Sequence, residues 1–188
     1  MALPASGPIS LNQVNTELQR AATAQINMND GAVRSLAGKA SGVISMSDLR
    51  GKSNWIYKTG NLVGGVPAGF SLFGDAWNGG SLSLVFDNDD ASRLFYNSTN
   101  SFIVGIWFNK SYKIQQVRGY CQNTLSGGQY IELYYNGTWN YVCSLQKNVA
   151  NLYTLPTAVE ATGIRIRCDN AWNPWVNELQ VTQWYEKG

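Results

Sequence analysis

One phrase occurs three times in the first fifty-three residues, and it restricts how that part of the chain can fold. Ile9-Ser10-Leu11-Asn12-Gln13 returns as Ile26-Asn27-Met28-Asn29-Asp30 and again as Ile44-Ser45-Met46-Ser47-Asp48, at offsets of 17 and 18 residues. Each copy sets two apolar residues around a small polar one and ends in a polar pair. Ser10 with Gln13, and Ser45 with Asp48, have the spacing of a helix-capping pair. In such a pair the hydroxyl accepts from the backbone N–H three positions on and the longer side chain reaches back. The first and third copies therefore carry a helix-start signature. A helix is expected over Asn12–Ala24, with Val14 and Leu18 on one side. A second is expected over Ala32–Ala37, stopped by Gly38, and barely a turn at Asp48-Leu49-Arg50. Helices this short are marginal by themselves in water.

Composition sharpens the picture. All 23 aromatic residues and all three cysteines follow residue 53, and all three methionines precede it. This places a boundary near Gly51-Lys52-Ser53, with an arm at 1–53 and a larger domain at 54–188. With no aromatic residue to build a core, the arm is expected to bury Ile9, Leu11, Ile26, Met28, Ile44 and Met46 against something else. A sister chain, a larger assembly or the following domain would each serve. Full burial of such a side chain contributes about 1.5–3 kcal/mol.

Beyond residue 53 the pattern is that of strands. Trp55-Ile56-Tyr57, Ser81–Phe86, Arg93–Tyr96, Phe102–Phe108 and Tyr112–Tyr120 are apolar-rich runs between turn residues, and Leu62–Gly74 reads as a loop. Gln129–Tyr135 and Thr138–Cys143 flank Asn136-Gly137, a two-residue hairpin turn. Ile164, Ile166 and Cys168 alternate with Arg165 and Arg167, so that one face is apolar and the other wet. Asp169–Pro174 reads as a loop holding Trp172, and Trp175–Trp184 as the closing strand. The expected fold class is mainly β: an antiparallel β-sandwich or jelly roll preceded by a small arm of short helices and turns.

Several functions are disfavoured. The formal charge is +2 and no basic stripe is present, which argues against a nucleic-acid partner. No apolar run approaches the 18–20 or so residues of a membrane span, and the N-terminus lacks a signal-peptide pattern. Histidine is absent, removing the commonest general base and metal ligand. Glu132, Glu160 and Glu178 have no spacing that suggests a glycosidase pair. Neither an enzyme nor a cofactor is therefore expected. Cys121, Cys143 and Cys168 have no metal-binding spacing and read as buried free thiols. Asp87, Asp89 and Asp90 carry oxygens suited to Ca²⁺, but an Asp/Asn-rich turn capping its own backbone accounts for them, and no metal site is assigned. Trp77, Trp139, Trp172 and Trp175 fall in or near loops, where an indole face can stack on a sugar ring.

Two stretches resemble known families. Gly7–Leu11, Ile26–Asp30, Leu36-Ala37-Gly38 and Gly42–Ser53 resemble the N-terminal segment of many tailed-bacteriophage virion proteins, in which a Gly-x-Ile-Ser-Leu-x-Asp phrase recurs before a Leu-x-Gly-Lys-Ser exit. Phe86-Asp87-Asn88-Asp89 with Ser92, and the closing Gly163–Tyr185, resemble discoidin-like, galactose-binding-type jelly rolls, with Asn88 in place of the family's glycine.

The first resemblance implies a non-enzymatic structural protein of the virion, assembled in the bacterial cytoplasm. It would be a fibre or decoration protein of capsid, neck or tail, anchored by its arm. Such a protein is expected to be a homotrimer in contact with other virion proteins. The alternative is a carbohydrate-binding module that recognises a host surface glycan, with Trp77, Trp172 and Trp175 as its stacking residues.

Overall fold

A computed structural model describes residues 2–75, 81–95, 101–122, 127–169 and 175–188. The chain forms two compact units, Met1–Ile56 with Lys187–Gly188, and Tyr57–Glu186.

In the small unit each copy of the repeated phrase closes one turn. Ser10 caps helix α1 (Leu11–Glu17) with both bonds of the capping pair: Gln13 N–H donates to Ser10 Oγ at 3.2 Å, and Ser10 N–H donates to Gln13 Oε1 at 2.8 Å. In the second copy Asp30 N–H donates to the Asn27 carbonyl, and the Asp30 side chain then caps helix α2 (Gly31–Ala37). In the third, Ser45 N–H donates to Asp48 Oδ2 at 2.8 Å over a 3₁₀ turn at Met46–Leu49.

Ion pairs link successive copies: Arg20 to Asp30 at 2.7 Å and Lys39 to Asp48 at 2.8 Å. Lys39 and the Ser45 N–H hold the Asp48 carboxyl down at about 2. Gly38 stops α2 in the left-handed conformation, φ 71°, as its position predicts. Helix α1 ends well short of Ala24. The Asn15 amide donates to the Ala22 and Ala24 carbonyls and draws that segment into turns, with Gln19 at φ 58°.

The expectation that this arm has no core of its own is corrected. Val14, Val33 and Leu49 are fully buried, with Leu3, Leu36, Ala37 and Ile44 beside them. Ile9, Ile26, Met28 and Met46 pack onto that cluster. Of the six repeat residues only Leu11 remains exposed, at 46%. The three turns bring their aliphatic side chains to a common centre, so small side chains suffice where no aromatic residue is present. The Glu17 carboxylate, also buried, accepts from Asn54 N–H at 2.8 Å and Ser53 Oγ at 3.2 Å, with Lys187 Nζ 3.4 Å away. Burial alone would raise its pKa, but the Asn54 N–H and the Lys187 ammonium outweigh it and hold the carboxyl below its ordinary value.

Among the described residues the large unit holds nearly all of an eight-stranded sheet folded into a sandwich. Its strands are β1 (Trp55–Thr59), β2 (Ser71–Gly74), β3 (Leu94–Phe95), β4 (Phe102–Gln122), β5 (Gly128–Tyr135), β6 (Thr138–Ser144), β7 (Val149–Asp169) and β8 (Trp175–Lys187). Their order is β1-β8-β4-β7-β5-β6, with β2 added to β4 and β3 to β8.

The stretches Phe102–Phe108 and Tyr112–Tyr120 are one continuous strand. Its register with β7 shifts between Trp107 and Tyr112. Before the shift β4 pairs with β2, and after it with β8. The two long strands thus pass through both layers, and Val104, Ile106, Ile114, Val117, Ile164 and Ile166 meet in the core between them. Asn136 and Gly137 take φ 52° and 75° in the predicted hairpin between β5 and β6.

Ser81–Phe86, expected as a strand, is instead a 3₁₀ turn at Leu82–Val85. Ser81 Oγ accepts from Ser83 N–H, and the adjacent pair Val85 and Phe86 is buried, which an alternating strand cannot achieve. Asn88 stands in the left-handed region at φ 66°, which Asn tolerates better than most residues, at the position where the resembling family carries glycine.

Replacing Leu49 by Ala is expected to destabilise the small unit by about 2–5 kcal/mol, the usual cost of emptying a buried leucine site. Faster amide hydrogen exchange across residues 3–52 would register it; unchanged protection there would show that the aliphatic cluster does not hold this unit.

Candidate functional site

Among the described residues, aromatic side chains stand beside charged ones outside the core of the sandwich at two places of interest. One lies at the start of β8. Trp175 pairs in register with Phe95 of β3 and Gln122 of β4, and the Arg93 guanidinium lies 4.0 Å from its ring centroid. Asn177, two residues on and fully buried, directs its amide at the Asp90 and Ser92 carbonyls and Gln122 Oε1, at 3.0–3.2 Å. This fixes the turn carrying Arg93 against the strand carrying Trp175. Of the three tryptophans expected to stack on a sugar, Trp175 is placed here, and Trp77 and Trp172 lie outside the described residues; Trp139, also read as near a loop, lies on β6.

The second group is on the outer face of β2, β4, β7, β5 and β6. Trp107 stacks on Phe73 at 5.0 Å and meets Tyr134 edge-on at 4.9 Å, and Trp139 lies 5.1 Å from it. Two glycines make room: a Cβ on Gly163 would stand 2.7 Å from Trp107, and one on Gly105 would stand 2.4 Å from Phe73.

Beside the rings lies an ion-pair chain. Arg165 Nε donates to Glu132 Oε2 at 2.6 Å, while Arg167 reaches the other Glu132 oxygen at 3.2 Å and Asp169 at 3.3 Å. Arg165 also lies 4.3 Å over the Trp139 ring. The expected wet face of β7 is thus largely covered at Arg165, whose side chain is only 16% exposed.

The acidic turn does what its local chemistry predicts. Asp87 accepts from Asp89 N–H at 3.0 Å, Asp89 from Ala91 N–H at 2.9 Å, and Asp90 holds the Arg118 guanidinium through both oxygens. Among the described residues no cluster of three acidic or cysteine side chains is arranged to hold a metal ion. None of their helices is long and apolar enough to cross a membrane.

Glu178 is fully buried on β8. Burial drives its carboxyl up to about 7, and the charges of Asp87 and Asp90 add to the shift while Arg118 opposes it. Cys121, Cys143 and Cys168 are free and buried, and burial raises all three thiols, Cys143 to about 11.

No family model matches the sequence, and no curated protein matches it. Solved structures do match the sandwich. The family 32 carbohydrate-binding module of Clostridium perfringens NanJ, solved in complex with galactose, superposes with a TM-score of 0.51 at 14% identity, over 63% of this chain and 95% of that one. Chitosan-binding module 1 of a chitosanase/glucanase from Paenibacillus sp. IK-5 gives 0.54 at 13% identity, over 64% of this chain and 97% of that one. CpGH89CBM32-6, produced by C. perfringens, gives 0.51 at 16% identity, over 69% of this chain and 100% of that one. At these identities the likeness is one of fold: a mainly β jelly-roll sandwich, the architecture of carbohydrate-binding modules.

Glu178 makes stability depend on pH with a definite sign. Its folded pKa lies above the ordinary 4.5. Below pH 4.5 both folded and unfolded forms hold the proton. As pH rises from there through about 7, the unfolded chain releases its proton first and stability falls, by about 3 kcal/mol at most. Glu178→Gln is expected to flatten that decline in thermal unfolding between pH 4.5 and 8; an unchanged slope would show that Glu178 is not its source. Iodoacetamide is expected to leave the three thiols of the native protein unlabelled and to modify all of them after denaturation, as intact mass will show.

Proposed function

We propose that the Tyr57–Glu186 sandwich is a carbohydrate-binding module that recognises a glycan on a bacterial surface, and that the N-terminal unit attaches it to a bacteriophage particle. The observation that carries the first part is the fold itself. A sugar-binding module solved with galactose superposes over 95% of its length on 63% of this chain, and the chain separately forms two compact units, the larger of them the sandwich. The Arg93–Trp175 pair adds a suitable surface, since a guanidinium over an indole positions hydrogen-bond donors beside an apolar ring. No step of this reading needs a nucleophile or a general base, so we propose binding without catalysis.

The attachment role is supported by the threefold repeat and its virion-type phrasing. The mechanism differs from simple burial of the repeat side chains in a neighbour, because five of the six already pack in their own unit. The docking surface is then what that unit leaves exposed, notably Leu11 and Val43, the latter 87% accessible. Assembly as a homotrimer within the virion, as fibre or decoration protein, belongs to the same proposal.

On an array of bacterial polysaccharides and simple oligosaccharides the full chain is expected to bind a defined glycan. Trp175→Ala is expected to weaken that binding ten-fold or more while the circular dichroism of the fold is kept. Silence across the array would overturn the glycan reading. Deletion of residues 1–50 is expected to abolish incorporation into particles; normal incorporation of the truncated protein would overturn the attachment role.

A further inference from the structure

The sandwich has a cleft at the far end of β5 from Gly128, roughly 23 Å along the strand from the end nearer Trp175. It has a volume of about 390 Å³ and opens between the Asn136-Gly137 turn and the bend shared by β4 and β7. Tyr134 and Tyr135 line it from β5, Asn136 from the turn, Ser111 from the β4 bend, and Glu160 and Thr162 from β7. We infer that this cleft is a second sugar-binding site, taking a neutral pyranose through ring contact with Tyr134 and hydrogen bonds to Glu160, Ser111, Asn136 and Thr162. This rests on the carbohydrate-binding reading of the sandwich and adds a location and a ligand class to it.

The volume lies in the range of small-molecule sites, where one or two sugar rings fit. The lining matches the chemistry of such a ring. A pyranose presents an apolar patch of C–H groups and a rim of hydroxyls that both donate and accept. Tyr134 supplies an aromatic wall held in place from behind, meeting Trp107 at 4.9 Å and Trp139 at 5.2 Å, both edge-on. A buttressed ring loses little freedom when a ligand stacks on it, which is the condition under which aromatic contact yields affinity.

The polar rim mixes donors and acceptors: hydroxyls at Ser111 and Thr162, an amide at Asn136, a carboxylate at Glu160. Ser111 Oγ already donates to Glu160 Oε1 at 2.8 Å, which fixes that carboxylate and leaves its second oxygen for a sugar hydroxyl. Charge decides the class of sugar. Glu160 is the one charged residue in the lining, with Lys113 opposite it in the β4–β7 register but outside the lining, so a uronic or sialic acid would bring like charge against the Glu160 carboxylate.

Two sites, one at this cleft and one at the start of β8, would let a single module hold two points of a polysaccharide, or two chains. That raises retention on a dense surface without tighter contact at either site.

The test is a titration of the full chain with neutral hexose and N-acetylhexosamine oligosaccharides, and with hexuronate oligomers of equal length, followed by amide and indole NMR shifts. The neutral ligands are expected to move the Gly137 N–H and the Asn136 side-chain amide; the hexuronates are not. Glu160→Gln and Tyr134→Ala are each expected to weaken this response ten-fold or more, with thermal unfolding confirming that both variants remain folded. In Trp175→Ala the response at Gly137 is expected to persist. Shifts confined to the Trp175 indole, untouched by Glu160→Gln and Tyr134→Ala, would overturn the cleft site and leave the carbohydrate reading standing. A preference for hexuronates would overturn the neutral-sugar assignment. No shift with any oligosaccharide would overturn both.

Discussion

The two 21-residue strands β4 and β7 run antiparallel to each other for nearly their full length, and the sandwich is built outward from that pair. A strand that long cannot stay flat and still bury one face throughout. The register shift after Trp107 solves this by letting both strands bend together, so one half of each serves each layer. Everything else is hung on that bend. β2 and β5 extend one half, β8 and β3 the other, and the Ser111–Glu160 bond spans the corner itself. A cleft forms there because a bent strand pair cannot fill the space beside its own turn.

The glycine–aromatic pairing on the outer face follows from the same strands. Gly105 stands opposite Arg165 and Gly163 opposite Trp107, so the missing side chains of one strand hold the bulky side chains of its neighbours. Glu132 then neutralises two guanidiniums that stand side by side on one face of β7. Burying a charge this completely is tolerated because both carboxylate oxygens are used.

The N-terminal unit reaches order by a different route. It lacks large side chains and relies on repetition: three turns, each closed by a pair three residues apart, tied in sequence by Arg20–Asp30 and Lys39–Asp48. Surface ion pairs of this kind contribute little individually. Their value lies in fixing the spacing of turns whose apolar residues meet in one cluster. Short aliphatic helices that are marginal singly need no foreign surface here, since three weak elements stabilise one another in a shared cluster.

What the sequence alone determined is what local rules control. The capping at Ser10, the Gly38 stop, the Asn136-Gly137 hairpin, the alternation along β7 and the change of composition near residue 53 depend on a few adjacent residues. Tyr130, Glu132 and Tyr134 share one face of β5, but nothing local says what covers a face. Tertiary structure alone decided that Glu132 meets Arg165 across 33 residues, that Ser81–Phe86 curls into a turn to bury two neighbouring side chains, and that Tyr134, Ser111 and Glu160 border one cleft. Such contacts are set by the register of strands far apart in the chain, and register is fixed by the whole core rather than by any one segment.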